Sequence, residues 1–556
     1  MGNILNPGRE NSFTRLVKSR KTEIFIDKTD FLEVMSSKIN DEKRFFAVTR
    51  PRRFGKTVTA HMLSAYFSKG YAGQNIFDSL EITHKDSFPE HLNKYDVIYI
   101  DMNSINSRYN SYLKNEKVHG VASLADYLEY SIITELREQQ DFAACFEKHN
   151  IKNTGLLVAL SSLQNDLNAQ FIFIMDEWDL ICREYRDDKQ LQKDYIDLLK
   201  DLFKTDDGQA CFVLAYLTGI LPIKKYNSQS ALNTFLEYNM LEPEPFERYF
   251  GFTETETAEI AARPSCKLSQ EELKDWYEGY RLNGIDIYNP NSVVSAVKDG
   301  RCKSYWSRSS SNEEVAQLIN MNYAGVKSDI LNLIEGGRVQ FDTSNFQNDM
   351  VSINSKDDVL CLLACLGYVG CENVKNSDVL KIAYVPNKEI RSVLTGIVRK
   401  QNWYERMDTI ERSENLLKAI RSLDGNKTAE LIQEIHNSPA VSLLDYNDED
   451  NDEESLTYCV MTGLLWSTLD DYTCHREEQA GKGKVDLVYE PNIKGAAPLI
   501  LIEFKYGKSA EEALKQIKTQ EYFRRYTKLY PKNILLAGIN YDPRSKNHQC
   551  LIEKLN

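Results

Sequence analysis

The sequence predicts an α/β protein, a parallel sheet flanked by helices and followed by a smaller, separate α/β unit. Three observations support this fold class. Short and almost wholly apolar runs alternate with amphipathic segments through the first half, as strands covered on both faces by helices do. Asp445 to Glu454 is almost entirely acidic or Asn, and like-charge blocks of this kind are solvated linkers. A second set of apolar runs follows that block. The 556 residues correspond to three or four domains at about 100–200 residues each.

In the first half the strands are expected at Phe45 to Thr49, Val97 to Ile100, Phe171 to Met175 and Cys211 to Thr218. From about Ala231 to Ser442 the texture turns polar and charged with helical spacing, which reads as a helical lid (231–340) and a helical connector (341–444) after a sheet domain at 1–230. After the linker at 445–454, residues 455–556 form the last unit. That region reads as a helix from Glu454 to Leu469, strands Val485 to Tyr489 and Leu499 to Phe504, a helix Ala510 to Tyr526 and a strand Asn533 to Ile539.

Composition removes several function classes. Apolar residues make up 42% and charged residues 27%, enough core-forming side chains to fold. The longest apolar run, Val359 to Cys371, is interrupted by Gly367 and Gly370 and is too short to span a bilayer. The N-terminus has no basic segment followed by an apolar one, so the expected location is the cytoplasm with no membrane partner. Eleven scattered cysteines read as core thiols, and no His-x3-His or Cys-x2-Cys pair marks a local zinc site. A net charge of −14 excludes a surface coated in positive potential, so nucleic-acid contact must be local. Basic residues concentrate around Arg50 to Lys56 and between Lys505 and Lys532.

The first basic cluster is Arg50-Pro51-Arg52-Arg53-Phe54-Gly55-Lys56-Thr57, between an apolar strand and an amphipathic helix. This is the setting of a phosphate-binding loop. Backbone N–H groups and the helix N-terminus receive phosphate oxygens, Lys56 neutralises β/γ charge, and Thr57 reaches Mg²⁺. Arg50 stands where the usual pattern has its first Gly. The strand Phe171 to Met175 ends in Asp176-Glu177. Asp176 would order the metal's hydration shell and Glu177 would polarise the attacking water; alone, the pair could equally be a helix N-cap. The strand before Thr218-Gly219 would turn a polar side chain toward the γ-phosphate.

The second cluster follows Glu503-Phe504-Lys505, whose charged side chains share one face of an apolar strand. Asp486 opens the neighbouring strand after the loop Gly481 to Lys484. Carboxylates on adjacent strands can hold Mg²⁺ or Mn²⁺ against a phosphodiester while Lys505 orients water or stabilises developing charge. Glu-x-Lys by itself could be a salt bridge on an edge strand.

With these residues in view, the N-terminal two-thirds resembles the AAA-ATPase-like domain of many bacterial proteins, and the C-terminal unit resembles the PD-(D/E)XK nuclease domain commonly fused to it. The loop with Arg50, Phe25 to Thr29, Trp276 to Tyr280, Tyr288-Asn289-Pro290 and Tyr305-Trp306 carry the likeness. The fold class it implies is a P-loop NTPase sheet with helical lid and connector, followed by a small PD-(D/E)XK nuclease-like domain. It implies Asp176 and Glu177 as the Walker B pair and Asp486, Glu503 and Lys505 as the nuclease core, with Glu454, Gln516 and Tyr522 completing the site. Val485 stands where the superfamily's name has Pro, and Thr457-Tyr458-Cys459 where a Tyr-His pair is expected. The implied activity is an ATP-binding NTPase that controls a metal-dependent nuclease, in a bacterial defence setting, acting on nucleic acid, DNA rather than RNA, as a homo-oligomer. The alternative is a nucleotide-switched regulatory or nucleic-acid-binding protein whose nuclease-like domain is inactive.

Overall fold

The computed structural model describes the chain apart from residues 1–3, 116–120, 150, 152–154, 224, 227–228, 231, 307–310, 321–322, 345, 347–352, 401–406, 438–451, 469–470, 494, 532 and 556. Most of the acidic block read as a linker therefore lies outside the described residues, and its last members, Asp452 to Glu454, begin a helix that runs to Thr468. The contacts divide the chain into two compact units, Met1–Val393 and Leu394–Asn556.

The first unit is built on a parallel sheet. Its strands are β1 (Phe45–Thr49), β2 (Asp96–Asp101), β3 (Phe171–Asp176), β4 (Phe212–Gly219) and β7 (Leu236–Tyr238), the last preceded by the short pair β5 (Lys225–Tyr226) and β6 (Gln229–Ser230). They lie in the order β2-β3-β4-β1-β7. Alternate residues enter two cores: Phe45, Ala47, Phe171, Phe173 and Met175 pack on one face, and Phe46, Val48, Ile172 and Ile174 on the other. Burial on both faces is why these strands read as continuous apolar runs. One strand, β4, separates the strand of the phosphate loop from the strand of the paired carboxylates, with Thr218 opposite both Val48 and Asp176.

The stretch expected to be a helical lid and connector contains helices, and also two antiparallel sheets of three strands. One joins β8 (Phe252–Thr253), β9 (Tyr280–Leu282) and β10 (Ile285–Tyr288); the other joins β11 (Val339–Asp342), β12 (Gly370–Asn373) and β13 (Leu380–Tyr384). At two to five residues each, such strands are too short for alternation to stand out from helical spacing.

The second unit carries a mixed sheet in the order β14 (Tyr472–Ala480), β15 (Gly483–Pro491), β16 (Leu499–Tyr506), β17 (Ile534–Asp542) and β18 (Asn547–Lys554). Helices Met407–Arg421, Gly425–His436 and Asp452–Thr468 cover one face, burying Ile500, Ile502 and Phe504 against Leu416, Ile432 and Val460. The helix Ala510–Thr519 covers the other, with Leu514 and Ile517 against Leu499 and Leu501. The sequence reading carried this helix to Tyr526. It ends earlier because Glu521 takes a positive φ of 55°, which turns Tyr522 back into the core. Among the described residues no helix is long and apolar enough to cross a membrane.

Candidate active sites

The phosphate loop leaves the C-terminal end of β1. Gly55 has φ +90°, a conformation that a side chain disfavours, and it caps the helix Lys56–Phe67. A cavity of about 600 Å³ opens there, lined by Arg52, Arg53, Gly55, Lys56, Thr57 and Glu177 at its polar end and by Phe13, Phe25, Ile26, Met62, Tyr249 and Phe252 at its apolar end. That is the volume and division of character that a nucleotide needs, phosphates on the helix N-terminus and base against the apolar wall.

Three of the four loop cations, Arg50, Arg53 and Lys56, donate to backbone carbonyls. Lys56 Nζ donates to Pro51 O at 2.9 Å, and burial lowers its pKa against the pull of Glu177, Asp176 and Asp179. Arg53 Nη1 donates to Tyr305 O. Arg50 does not reach the cavity, contrary to its expected place among the nucleotide contacts. Its guanidinium is 0% exposed, donates to Thr49 O at 2.8 Å and Tyr238 O at 3.0 Å, and lies over the Phe250 ring. Burial lowers its pKa to about 10. A guanidinium is too large for the phosphate cradle and has carbonyls and an aromatic face available on the β7 side.

Asp176 is 2% exposed. Burial pushes its pKa up to about 7, opposed by a hydrogen bond from Thr57. A buried carboxylate beside a hydroxyl is a hard-oxygen pair whose charge a divalent cation would offset, so the residues fit Mg²⁺. Glu177, with φ 57°, lines the cavity and is ion-paired with Arg183. Arg183 also donates to Asp179 at 2.9 Å, and Asp179 accepts from the Leu221 amide at 2.9 Å. Thr218 departs from expectation. Its hydroxyl donates to Val48 O at 2.9 Å, so it is spent inside the sheet, and it lies outside the cavity wall.

The loop is collared by later parts of the first unit. Asn289 Nδ2 donates to Arg52 O at 3.4 Å, Tyr280 stacks edge-on against Phe54, and the Tyr280 hydroxyl donates to Gly367 O at 2.7 Å. Gly367 has φ +84°, and a Cβ there would fall 2.8 Å from Pro51 and 2.9 Å from Trp306. Sequence motifs at Tyr280, Asn289 and Tyr305 thus converge on one loop.

In the second unit Asp486 and Glu503 face each other across β15 and β16, whose register pairs Leu487 with Ile502. Asp486 Oδ2 accepts from the Phe504 amide at 2.7 Å. Glu503 is 1% exposed and accepts from Gln516 Nε2, which also reaches the Tyr522 hydroxyl at 3.3 Å. Lys505 Nζ lies 3.6 Å from Glu503 and donates to Phe504 O at 2.7 Å. Burial first, then the charges of Glu503 and Asp486, raise the Tyr522 pKa against its hydrogen bond with Gln516, so five of the six expected residues form one cluster. Two carboxylates beside one ammonium make a hard-oxygen set that fits Mg²⁺ or Mn²⁺. Glu454 falls in the first turn of the helix Asp452–Thr468, and its side chain lies outside the described residues.

Residues 10–227 match a family model described as predicted AAA-ATPase, and residues 452–550 match one described as PD-(D/E)XK nuclease superfamily. The chain joins an AAA-ATPase-like domain to a PD-(D/E)XK nuclease-type domain. A protein from Azotobacter chroococcum mcd 1, described as an uncharacterized protein in the vnfD 5' region, is 22% identical over 285 residues, which are 51% of this chain and 50% of that protein. The chain thus spans about half the length of this curated relative. Among solved structures, Aeropyrum pernix ORC2 in ADPNP–ADP complexes is 14% identical, covering 70% of this chain and 98% of that one at a TM-score of 0.29. Drosophila ORC bound to DNA is 11% identical (70% and 92%, TM-score 0.24). A. pernix ORC1 in complex with DNA is 12% identical (71% and 100%, TM-score 0.25). Superpositions this loose carry no argument; the strand order and the two family matches do.

Several residues around the AAA-ATPase-like site were not foreseen. Arg183 meets Glu177 and Asp179 within one or two helical turns, a local pairing, whereas Asp179 reaches Leu221 and Glu389 reaches Ser292 and Tyr305 across long stretches of sequence. Of the basic residues Lys515, Lys518, Arg524 and Arg525, which the sequence offers for a nucleic-acid backbone, three have acidic partners: Lys518 pairs with Glu553, Arg524 with Glu521 at 3.2 Å and Arg525 with Glu478 at 2.7 Å. Elsewhere Cys145, His149 and Asp166 offer ligand atoms within 4.8 Å of one another. Lys148 already neutralises Asp166 at 2.6 Å, and the Cys145-x3-His149 spacing on one helix is the signal that a search for His-x3-His and Cys-x2-Cys passes over.

Proposed function

We propose that the chain is a nucleotide-controlled nuclease, in which ATP bound and hydrolysed in the AAA-ATPase-like domain governs metal-dependent phosphodiester cleavage in the C-terminal domain. The observation that carries the cleavage reading is the cluster of Asp486, Glu503 and Lys505 with Gln516 and Tyr522. A divalent ion held by Asp486 and Glu503 supplies Lewis-acid charge stabilisation when bound. Gln516 orients Glu503, Tyr522 orients Gln516, and Lys505 presents its ammonium to the attacking water or to the charge that develops on the phosphate. In the AAA-ATPase-like domain Lys56 and the helix N-terminus bind phosphate, and Thr57 and Asp176 hold Mg²⁺. Glu177 is the base for the attacking water, and release from Arg183 would free its carboxylate for that work.

The proposed division is a nucleotide domain at 1–230, a lid at 231–340, a connector at 341–444, a linker at 445–454 and a nuclease domain at 455–556, whose sheet is also covered by the helices Met407–Arg421 and Gly425–His436. The substrate is nucleic acid, DNA rather than RNA, and the setting is bacterial defence with the protein acting in the cytoplasm as a homo-oligomer; these finer points follow from the family resemblance. The test is a cleavage assay on single- and double-stranded DNA and RNA, with and without ATP and with Mg²⁺ or Mn²⁺. Metal-dependent cutting that changes with ATP is the expected result. Binding without cutting on every substrate and metal would leave a nucleotide-switched nucleic-acid-binding protein instead.

A further inference from the structure

We propose that Glu389 is a positioning residue for the phosphate loop: it fixes the Tyr305–Trp306 backbone so that the Tyr305 carbonyl holds the Arg53 guanidinium at the cavity, where its remaining N–H groups meet phosphate. This rests on the nucleotide reading of that cavity. Glu389 lies more than 300 residues beyond the loop in sequence, is 1% exposed, and is saturated with donors. Its Oε1 accepts from the Tyr305 amide at 2.7 Å and the Trp306 amide at 3.0 Å, and its Oε2 accepts from Ser292 Oγ at 2.8 Å.

Two walls of the cavity are tied through this one carboxylate. Ser292 belongs to the helix Pro290–Asp299, whose Pro290, Asn291 and Val294 line the cavity. Tyr305 carries the carbonyl that accepts from Arg53 Nη1, and Arg53 lines the same cavity. Burying a carboxylate is costly without donors or a neighbouring cation. Here burial raises its pKa to about 7, while Ser292, the two amides and the Arg53 charge work in the opposite direction. Arg53 has φ 71°, a left-handed backbone that a non-glycine residue keeps only when its surroundings hold it. A neutral carbonyl uses one N–H of a guanidinium fork with five donors, so it orients the group without spending its charge.

The test is ATP binding by the full-length protein, measured by calorimetry. Arg53→Ala and Glu389→Ala should each weaken binding about tenfold, the size of one charge-assisted contact. The double variant should be no weaker than either single one, because both changes cut the same chain. Glu389→Gln should bind like the parent, since its amide oxygen can accept from both backbone N–H groups and its NH₂ can donate to Ser292. Should Glu389→Ala fail to fold, Arg53→Lys carries the test. An ammonium lacks the planar fork that spans carbonyl and phosphate, so it should lose nearly as much as Arg53→Ala. Additive losses in the double variant, parent affinity in Glu389→Ala, Arg53→Ala or Arg53→Lys, or a tenfold loss in Glu389→Gln overturn the inference. Lys56→Ala serves as the control: unchanged binding there overturns the nucleotide reading itself, and the inference with it.

Discussion

The two candidate sites keep their positive charges in different company. In the phosphate loop Arg50, Arg53 and Lys56 all donate to backbone carbonyls, Tyr238 and Thr49 for the first, Tyr305 for the second and Pro51 for the third. In the C-terminal site Lys505 also donates to a carbonyl, that of Phe504, but lies 3.6 Å from Glu503, with Asp486 on the adjoining strand. A carbonyl orients a cation without cancelling its charge, and Glu177, Asp176 and Asp179 act on Lys56 through space, so the loop keeps donors for an anion. A carboxylate pair outweighs its single ammonium, so the second site has an appetite for a cation first and a phosphodiester through it. The partners a fold gives its buried charges therefore indicate the sign of the ligand before any ligand is bound.

That contrast can be broken most directly in the C-terminal site. Asp486→Ala and Glu503→Ala should each cut nuclease activity to below about a thousandth of the parent rate, because either loss leaves one carboxylate to hold the ion. ATP binding should stay unchanged, and a fall in it would mean that the two sites are not separable in this way. Lys505→Ala should differ from both, slowing cleavage by about 10²-fold while Mn²⁺ binding, measured by calorimetry, persists. Glu177→Gln tests the other side of the comparison. ATP should still bind, and turnover in a phosphate-release assay should fall by roughly 10²–10⁴-fold. Lys56→Ala removes an ammonium hydrogen-bonded to a carbonyl, so ATP affinity should drop about 10²-fold with little change in melting temperature.

The smallest expected effect concerns stability. His548 is held neutral by burial and by the neighbouring His436, with a pKa lowered to about 4, and its ring nitrogen meets Gln433 Oε1 at 2.7 Å. Between pH 6.5 and 4 the unfolded chain binds a proton there that the folded chain refuses. Stability from this group is therefore complete above pH 6.5 and declines as pH falls toward 4. The loss from pH 7 to 5 is on the order of 1–2 kcal/mol, read as a drop in the melting temperature that His548→Gln should reduce. His61 in the first unit, whose pKa burial also lowers to about 4, adds a loss of the same sign there, so His548→Gln should reduce only the part that the second unit reports.

How far the sequence could be read depended on which face of an element was buried. Strands β1 to β4 lie between two helical layers, so their apolar runs appear unbroken and their limits were legible to within a residue. Edge strands β14 and β18 carry polar, exposed residues such as Arg476, Glu477 and Glu553, the usual state of a sheet edge, and they escaped notice. Asp486, Glu503, Lys505, Gln516 and Tyr522 were found together because hairpin register and the family pattern agree. Around the phosphate loop the local motif was legible, while the destination of Arg50, the Arg183 clasp on Glu177 and the Glu389 tie were not. Arg50 and Glu389 are decided by partners brought near only by the tertiary fold, and the Arg183 pair, six residues apart in sequence, by the turn that follows β3.

Arg50 has a consequence for how portable the loop is. In a glycine-led phosphate loop the motif is self-sufficient, since the backbone alone makes the turn. Here the first residue is a fully buried guanidinium, whose Nε and Nη2 have no hydrogen-bond partner among the described residues. Its stability is borrowed from a carbonyl on Tyr238 and a ring at Phe250, both almost two hundred residues away. Grafted onto another sheet without that carbonyl and ring, the same octapeptide would bury an uncompensated charge and would not hold its shape. The signature is local in spelling only; as a structural unit it extends to the segment that runs from Tyr238 to Phe250.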